Sequence, residues 1–136
     1  MRHYELIEHT ADVGVKAYGT TLAEAFEHAA EGMFDIITDE SSIKPTGEYQ
    51  ILLEAADLEQ LLVDWLSQLL FLNGAYDLVF GTFQVTLKGT CLSARVFGEK
   101  YDTKQHRMGV EIKAVTYHML QVHEGAPIFV QVLFDI

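Results

Sequence analysis

Two segments of the chain carry apolar residues at helical spacing. The first opens with a capping box, Thr21 to Glu24, in which each side chain can bond the other residue's backbone amide. Its apolar positions are Leu22, Phe26, Ala29, Met33 and Ile37. The second follows Asp57 as a cap, and its apolar positions are Leu58, Leu61, Leu62, Trp65, Leu66, Leu69 and Leu72. This spacing predicts two amphipathic helices, with Trp65 packed in the core rather than offered to a ligand.

The other segments alternate apolar and polar residues, which is the period of a strand. The predicted strands are 3–8, 13–18, 49–54, 78–87, 91–99, 112–122 and 127–134. Helices come early and consecutive strands come late. This order predicts an α+β fold: a mixed, largely antiparallel sheet with two helices packed on one face. We expect a single domain over residues 1–136, because the most linker-like segment has only the length of a loop.

The composition of the chain bears on the compartment in which the protein is expected to fold. Hydrophobic residues make up 49% of the chain, so a core can form without disulfides. Cys91 is the only cysteine, which fits a reducing compartment, and its place in an alternating segment predicts a buried structural thiol. The chain shows no secretory signal and no apolar run long enough for a membrane span. We therefore expect a soluble, cytoplasmic protein.

The net charge of −11 narrows the choice of partners. A surface this acidic repels phosphate backbones, so strong direct binding of RNA or DNA is not expected. It suits a cation or a basic surface on another protein. The alternative is that the acidity only keeps the domain soluble.

The segment His9 to Gly14 is the first candidate site. It places a histidine, a threonine and a carboxylate between two predicted strands. Loops held by rigid elements carry a large share of functional residues, so we interpret this segment as a site rather than a turn.

The segment Lys113 to His118 is unusually rich in reactive side chains for a predicted strand. On a strand, Thr116 and His118 share one face, while Lys113 and Tyr117 share the other. His118 could then act as a base or a ligand, and Lys113 as a cation. The alternative is a solvated strand with a hydrogen-bonded core histidine.

The end of the sequence brings Asp135 close to a carboxylate on Ile136. Two neighbouring negative charges repel, and a bound Ca²⁺, Mg²⁺ or Mn²⁺ would relieve that repulsion. If Asp12 lies across from Asp135, three oxygen donors converge. A zinc site formed by His9, Asp12 and His118 is a weaker alternative, because its spacing matches no standard zinc signature.

A polar segment, residues 102–107, separates two predicted strands, and we expect a mobile loop there. The chain contains no Gly-rich phosphate loop, no Cys-x-x-Cys pair, no His-Glu-x-x-His motif and no Gly-x-Ser-x-Gly motif. These absences count against an enzyme with a familiar catalytic motif.

Three segments, in this order, resemble motifs of the archease family. They are His9 to Gly14, Lys113 to His118, and Phe134 to Ile136. The resemblance extends over essentially the whole chain. It implies an accessory protein of the RtcB-type RNA ligase, which seals tRNA exons or repairs broken RNA with GTP and Mn²⁺. Such a protein promotes attachment of GMP to the ligase's active-site histidine and sustains multiple turnover.

The same resemblance implies a metal site. It assigns a bound ion, Ca²⁺ first, to Asp12 and Asp135 with help from Ile136, and it gives importance to Lys113. His9, Lys113 and His118 are the candidate activation residues. Two other functions stay open: a metal-dependent phosphoesterase with His9 or His118 as its base, and a chaperone-like binding module.

Overall fold

The computed structural model describes residues 3–9 and 12–136, except for the side chains of Glu8 and His9. In this part of the chain two helices and eight strands form. The helices are α1 Leu22–Thr38 and α2 Leu58–Tyr76. The strands are β1 Tyr4–His9, β2 Asp12–Gly19, β3 Gly47–Glu54, β4 Leu78–Lys88, β5 Cys91–Lys100, β6 Ala114–Val115, β7 Gln121–His123 and β8 Ile128–Asp135.

Helix α1 begins at its predicted cap. The side chain of Thr21 accepts a hydrogen bond from the amide of Glu24 at 3.2 Å. The Glu24 carboxylate accepts bonds from the amide and the hydroxyl of Thr20, rather than from Thr21. These bonds stabilise the charged carboxylate and lower the pKa of Glu24.

Helix α2 also begins as predicted, because Asp57 accepts a bond from the amide of Gln60 at 2.8 Å. It extends to Tyr76 and stops where Asp77 adopts a left-handed conformation. Neither described helix has the length and apolar character needed to span a membrane.

All pairings between the described strands are antiparallel, and the strands divide between two sheets. The larger sheet has the order β1-β2-β8-β6, with β7 also pairing with β8. The smaller sheet has the order β3-β5-β4. The predicted α+β class is therefore confirmed. The strands form two antiparallel sheets rather than the one mixed sheet that was expected, because β3, β4 and β5 pair only with one another.

The two helices join the sheets in one core. Helix α1 contacts β2 and β8 of the larger sheet and β4 of the smaller one, while α2 contacts strands of both sheets. The predicted core position of Trp65 is confirmed: the ring is fully buried, and its Nε1–H donates to the carbonyl oxygen of Phe26 at 3.0 Å. The indole therefore buries its polar atom with a partner.

The prediction of one strand over 112–122 is wrong. Only β6 and β7 form there, and each pairs with a different part of β8. Between them, both the amide and the hydroxyl of Thr116 donate to the carbonyl oxygen of Leu133, at 3.0 and 2.9 Å. The hydroxyl of Tyr117 donates to Gln60 of α2. Because side-chain bonds interrupt the ladder here, the alternating pattern does not report a continuous strand.

The prediction of a buried Cys91 is also wrong, since this thiol is exposed. Strand β5 directs Leu92, Ala94 and Val96 into the core. Successive side chains point to opposite faces of a sheet, so Cys91 lies on the outer face.

The expected mobile loop at residues 102–107 is instead anchored. His106 is buried, its Nδ1 accepts a bond from the amide of Asp102, and its Nε2 therefore donates to the Glu99 carboxylate at 2.9 Å. Arg107 donates from its side chain to the carboxylate and the carbonyl oxygen of Asp39, just after α1. The side chains of His106 and Arg107 therefore tie this loop to β5 and to the end of α1.

Beyond Arg107 the chain closes the end of α1. The amides of Gly109 and Val110 donate to the carbonyl oxygens of Ile37 and Ile36, both at 2.9 Å. These bonds satisfy carbonyls that a helix leaves open at its last turn. A Cβ atom on Gly109 would lie 2.0 Å from the Ile36 carbonyl oxygen, so the close approach requires glycine.

Candidate functional site

Asp12 and Asp135 face each other across two neighbouring strands. Asp12 is the first residue of β2, Asp135 is the last of β8, and the antiparallel register pairs them directly. Directly opposed residues have Cβ atoms about 4.5–5.5 Å apart. Asp12 is half-buried and Asp135 is exposed. The two carboxylates predicted to meet therefore lie side by side at one end of the larger sheet.

Two residue pairs further along, close packing holds these two strands together. Gly14 lies opposite Leu133, and a Cβ atom on Gly14 would come within 2.5 Å of the Leu133 side chain. Leu133 is fully buried and occupies the space that a side chain on Gly14 would take. The glycine of the sequence motif thus has a structural role that periodicity alone did not reveal.

Lys113 is attached to the same end of the sheet from the other side of β8. Its amide donates to the carbonyl oxygen of Asp135 at 2.7 Å, and the next residue, Ala114, pairs with Asp135 in the β6–β8 register. The Lys113 side chain is exposed. Ile136 follows directly and is 40% exposed. Three strands therefore bring Asp12, Asp135 and Lys113 together.

The two candidate histidines lie at the end of β1 and in the segment between β6 and β7. The backbone of His9 pairs with Asp12 in the β1–β2 register. Its side chain lies outside the described residues, as do Thr10 and Ala11. His118 is exposed in the segment between β6 and β7, where its amide donates to the Thr116 hydroxyl at 3.3 Å. The face that Thr116 and His118 were expected to share is not part of a strand.

Carboxylates placed in this way suit a hard cation. Oxygen donors are the ligands that Ca²⁺, Mg²⁺ and Mn²⁺ prefer. Within the described residues, no three His, Cys, Asp or Glu side chains converge on a common point. The described side chains therefore supply a pair of opposed carboxylates and not a complete set of metal ligands.

The described residues also form a cavity of about 570 Å³ on the smaller sheet. Its lining includes Leu52, Cys91 and Ser93 from β3 and β5. None of the predicted site residues is among those that line this cavity.

Comparison with known proteins identifies the family of this chain. The model of the Archease protein family (MTH1598/TM1083) matches residues 4–136. The chain belongs to the archease family.

Relatives within the family match over most of their length. The Protein archease of Pyrococcus furiosus is 41% identical over 126 residues, covering 90% of this chain and 89% of the relative. The Protein archease of Methanosarcina mazei is 44% identical over 130 residues, covering 92% and 89%. The predicted family resemblance is thereby confirmed.

Solved structures show the same fold. Protein 1598 of Methanobacterium thermoautotrophicum, solved in solution, is 33% identical with a TM-score of 0.80, covering all of both chains. The archease of Thermotoga maritima, described as a possible chaperone, is 23% identical with a TM-score of 0.61, covering 97% of this chain and 96% of that one. The second likeness concerns the fold alone.

Proposed function

We propose that this archease-family protein activates an RtcB-type RNA ligase in tRNA splicing or RNA repair. In this proposal the protein promotes transfer of GMP from GTP to the ligase's active-site histidine and sustains multiple turnover. It acts in the cytoplasm and has no catalytic activity of its own. Family membership and the acidic site support this function.

The observation that carries the proposal is the direct opposition of Asp12 and Asp135 beside Lys113. Opposed like charges destabilise a sheet, so a fold that keeps them gains something else from the pair. An acidic end with one lysine is suited to a basic cleft in which a metal ion and a triphosphate must be positioned.

We propose that Asp12 and Asp135 hold a divalent cation, with Ile136 assisting. Ca²⁺ is the first choice, and Mg²⁺ and Mn²⁺ are alternatives. When bound, the ion supplies positive charge that offsets the carboxylate repulsion. The Gly14–Leu133 packing and the backbone bond from Lys113 to Asp135 hold the backbones of Asp12, Asp135 and Lys113 at one end of the larger sheet, which supports this assignment. Lys113 can then steady phosphate charge, which assists the reaction by positioning.

The test mixes the protein with a cognate ligase and GTP and measures ligase guanylylation. We expect Asp12→Ala, Asp135→Ala and Lys113→Ala each to lower the stimulated rate by about ten- to a hundredfold, because misplaced reactants lose rate on that scale. Lys88→Ala is the matched control, since this exposed lysine lies at the far end of β4. Parental stimulation by all three site variants would contradict the assignment.

The same samples distinguish the two alternative functions. Turnover of phosphoesters by the protein alone, lost in Asp12→Ala and Asp135→Ala, would favour a metal-dependent phosphoesterase. Suppression of aggregation of unrelated proteins, without any effect on the ligase, would favour the chaperone-like module suggested by the description of the Thermotoga maritima relative.

A further inference from the structure

Three exposed apolar side chains are connected to the carboxylate end of the molecule. Met108 is 80% exposed, Val110 is 42% exposed and Ile136 is 40% exposed. We call these three residues the apolar rim. Single exposed apolar residues are ordinary on protein surfaces, so the position of the three together is what matters.

The path of α1 places the first two members of the rim at this end. Close packing of Gly19 on Ala25 and of Gly32 on Val15 shows that α1 runs back along β2, toward Asp12. Ile36 and Ile37 lie one turn further in the same direction. Their carbonyl oxygens bind the amides of Val110 and Gly109. The loop carrying Met108 and Val110 is therefore fastened to the end of the helix nearest the carboxylates.

The connection from this loop to the site is short. Lys113 follows Val110 by three positions, and its amide is bonded to the carbonyl oxygen of Asp135. An extended chain covers at most about 3.3–3.6 Å per residue, so the Cα atoms of Val110 and Lys113 lie within about 11 Å. Ile112, between them, is buried in the core. Val110 and Lys113 are both exposed, and the chain therefore keeps them close to each other.

The loop is fixed although the side chains of Met108 and Val110 are exposed. Arg107 is bonded to Asp39 and Ser41, and the Gly109 backbone fits against the last turn of α1. A fixed loop loses little conformational entropy when a partner binds it. Methionine adapts to irregular apolar surfaces and is enriched at protein interfaces.

We propose that the apolar rim is a docking surface that seats this end of the molecule on the rim of a partner protein's basic cleft. Charge indicates this partner, since the neighbouring Glu111 is exposed and the chain carries a net charge of −11. The inference rests on the proposed function, in which that partner is the ligase. The rim supplies affinity, and the carboxylate pair with Lys113 supplies activation.

This division of labour predicts two distinct defects. The double variant Met108→Asp/Val110→Asp weakens ligase binding at least about tenfold, measured as the Kd by titration calorimetry, because buried interface anchors commonly carry that much affinity. Its guanylylation stimulation at saturating concentration stays at the parental level. Asp135→Ala shows the reverse: the Kd stays close to parental while the maximal stimulation falls.

Leu52→Asp is the matched control, because Leu52 is 75% exposed on the smaller sheet. It should change neither quantity, and thermal unfolding checks that every variant is folded. If the parent stimulates the ligase but the double variant binds it with an unchanged Kd, the docking surface alone is overturned. Rim-dependent binding without stimulation overturns the proposed function alone. Absence of ligase binding by the parent overturns both.

Discussion

The pairing of Asp12 with Asp135 places two like charges opposite each other on adjacent strands. Like charges directly opposite each other destabilise a sheet. Two residue pairs further along, Gly14 leaves room for the Leu133 side chain. Local departures from stable strand chemistry concentrate at functional sites, and here two of them lie close together. This clustering favours a functional role for the end of the sheet over a structural one.

Replacing Asp135 should therefore change the free energy of unfolding and the response to Ca²⁺ in different ways. We expect Asp135→Asn, in the presence of a chelator, to be as stable as the parent or more stable by up to about 1 kcal/mol, because the repulsion is gone. Added Ca²⁺ should stabilise the parent more than the variant, since a ligand of the native state raises the free energy of unfolding. Thermal unfolding with and without Ca²⁺ measures both effects.

Asp77→Asn is the control for this experiment, because Asp77 lies at the end of α2, away from the pair. It should respond to Ca²⁺ as the parent does. An equal Ca²⁺ response in the parent and in Asp135→Asn would show that Asp135 is not a ligand.

At the scale of elements, periodicity predicted both helices and most strands because each of them buries one regular face. It failed over 112–122, where Thr116 and Tyr117 bond through their side chains to β8 and α2. Periodicity also gave the wrong burial for Cys91, and it did not reveal that the loop at 102–107 is anchored by hydrogen bonds. Elements remote in sequence decide which face of a strand is buried. They also decide which group a polar loop residue bonds. Neither can be read from local alternation.

The anchored loop gives a prediction about acid stability. Its buried His106 donates to Glu99, whose carboxylate also accepts a bond from the amide of Lys44 at 2.8 Å. The Lys44 amide first, and His106 second, hold the pKa of Glu99 below its ordinary value of 4.5. The folded state therefore binds this proton more weakly than the unfolded chain. The stabilisation is fully present above about pH 4.5 and is lost as the pH falls through the lowered pKa.

Urea unfolding between about pH 3 and 6 tests this linkage. The free energy of unfolding of the parent should fall more steeply with acid than that of Glu99→Gln. At neutral pH the variant should be less stable by about 1–3 kcal/mol, because a buried histidine loses its charged partner. Glu124→Gln, at an exposed turn, is the control and should keep the parental slope. Equal slopes for the parent and Glu99→Gln would contradict the proposed linkage.

At the scale of the whole molecule, the candidate site depends on β2 and β8 lying side by side. The sequence predicted each strand separately, but a strand's period does not specify its neighbour or its register. Likeness to a family, not spacing, suggested that Asp12 and Asp135 act together. The structure places them opposite each other, and it adds Gly14, Gly109 and the apolar rim, for which the sequence carried no recognised signal. These features emerge only when distant segments are packed together.

The overall charge yields the last prediction, on association with the proposed ligase. If the net charge of −11 guides the protein to a basic cleft, the association rate should fall at least about tenfold between low salt and about 0.5 M salt, because added ions screen long-range attraction. Stopped-flow mixing measures this rate. Glu111→Gln, close to the rim, should slow association more than Glu54→Gln on the smaller sheet. A rate independent of salt would mean that the acidity serves solubility alone, the alternative left open by the composition.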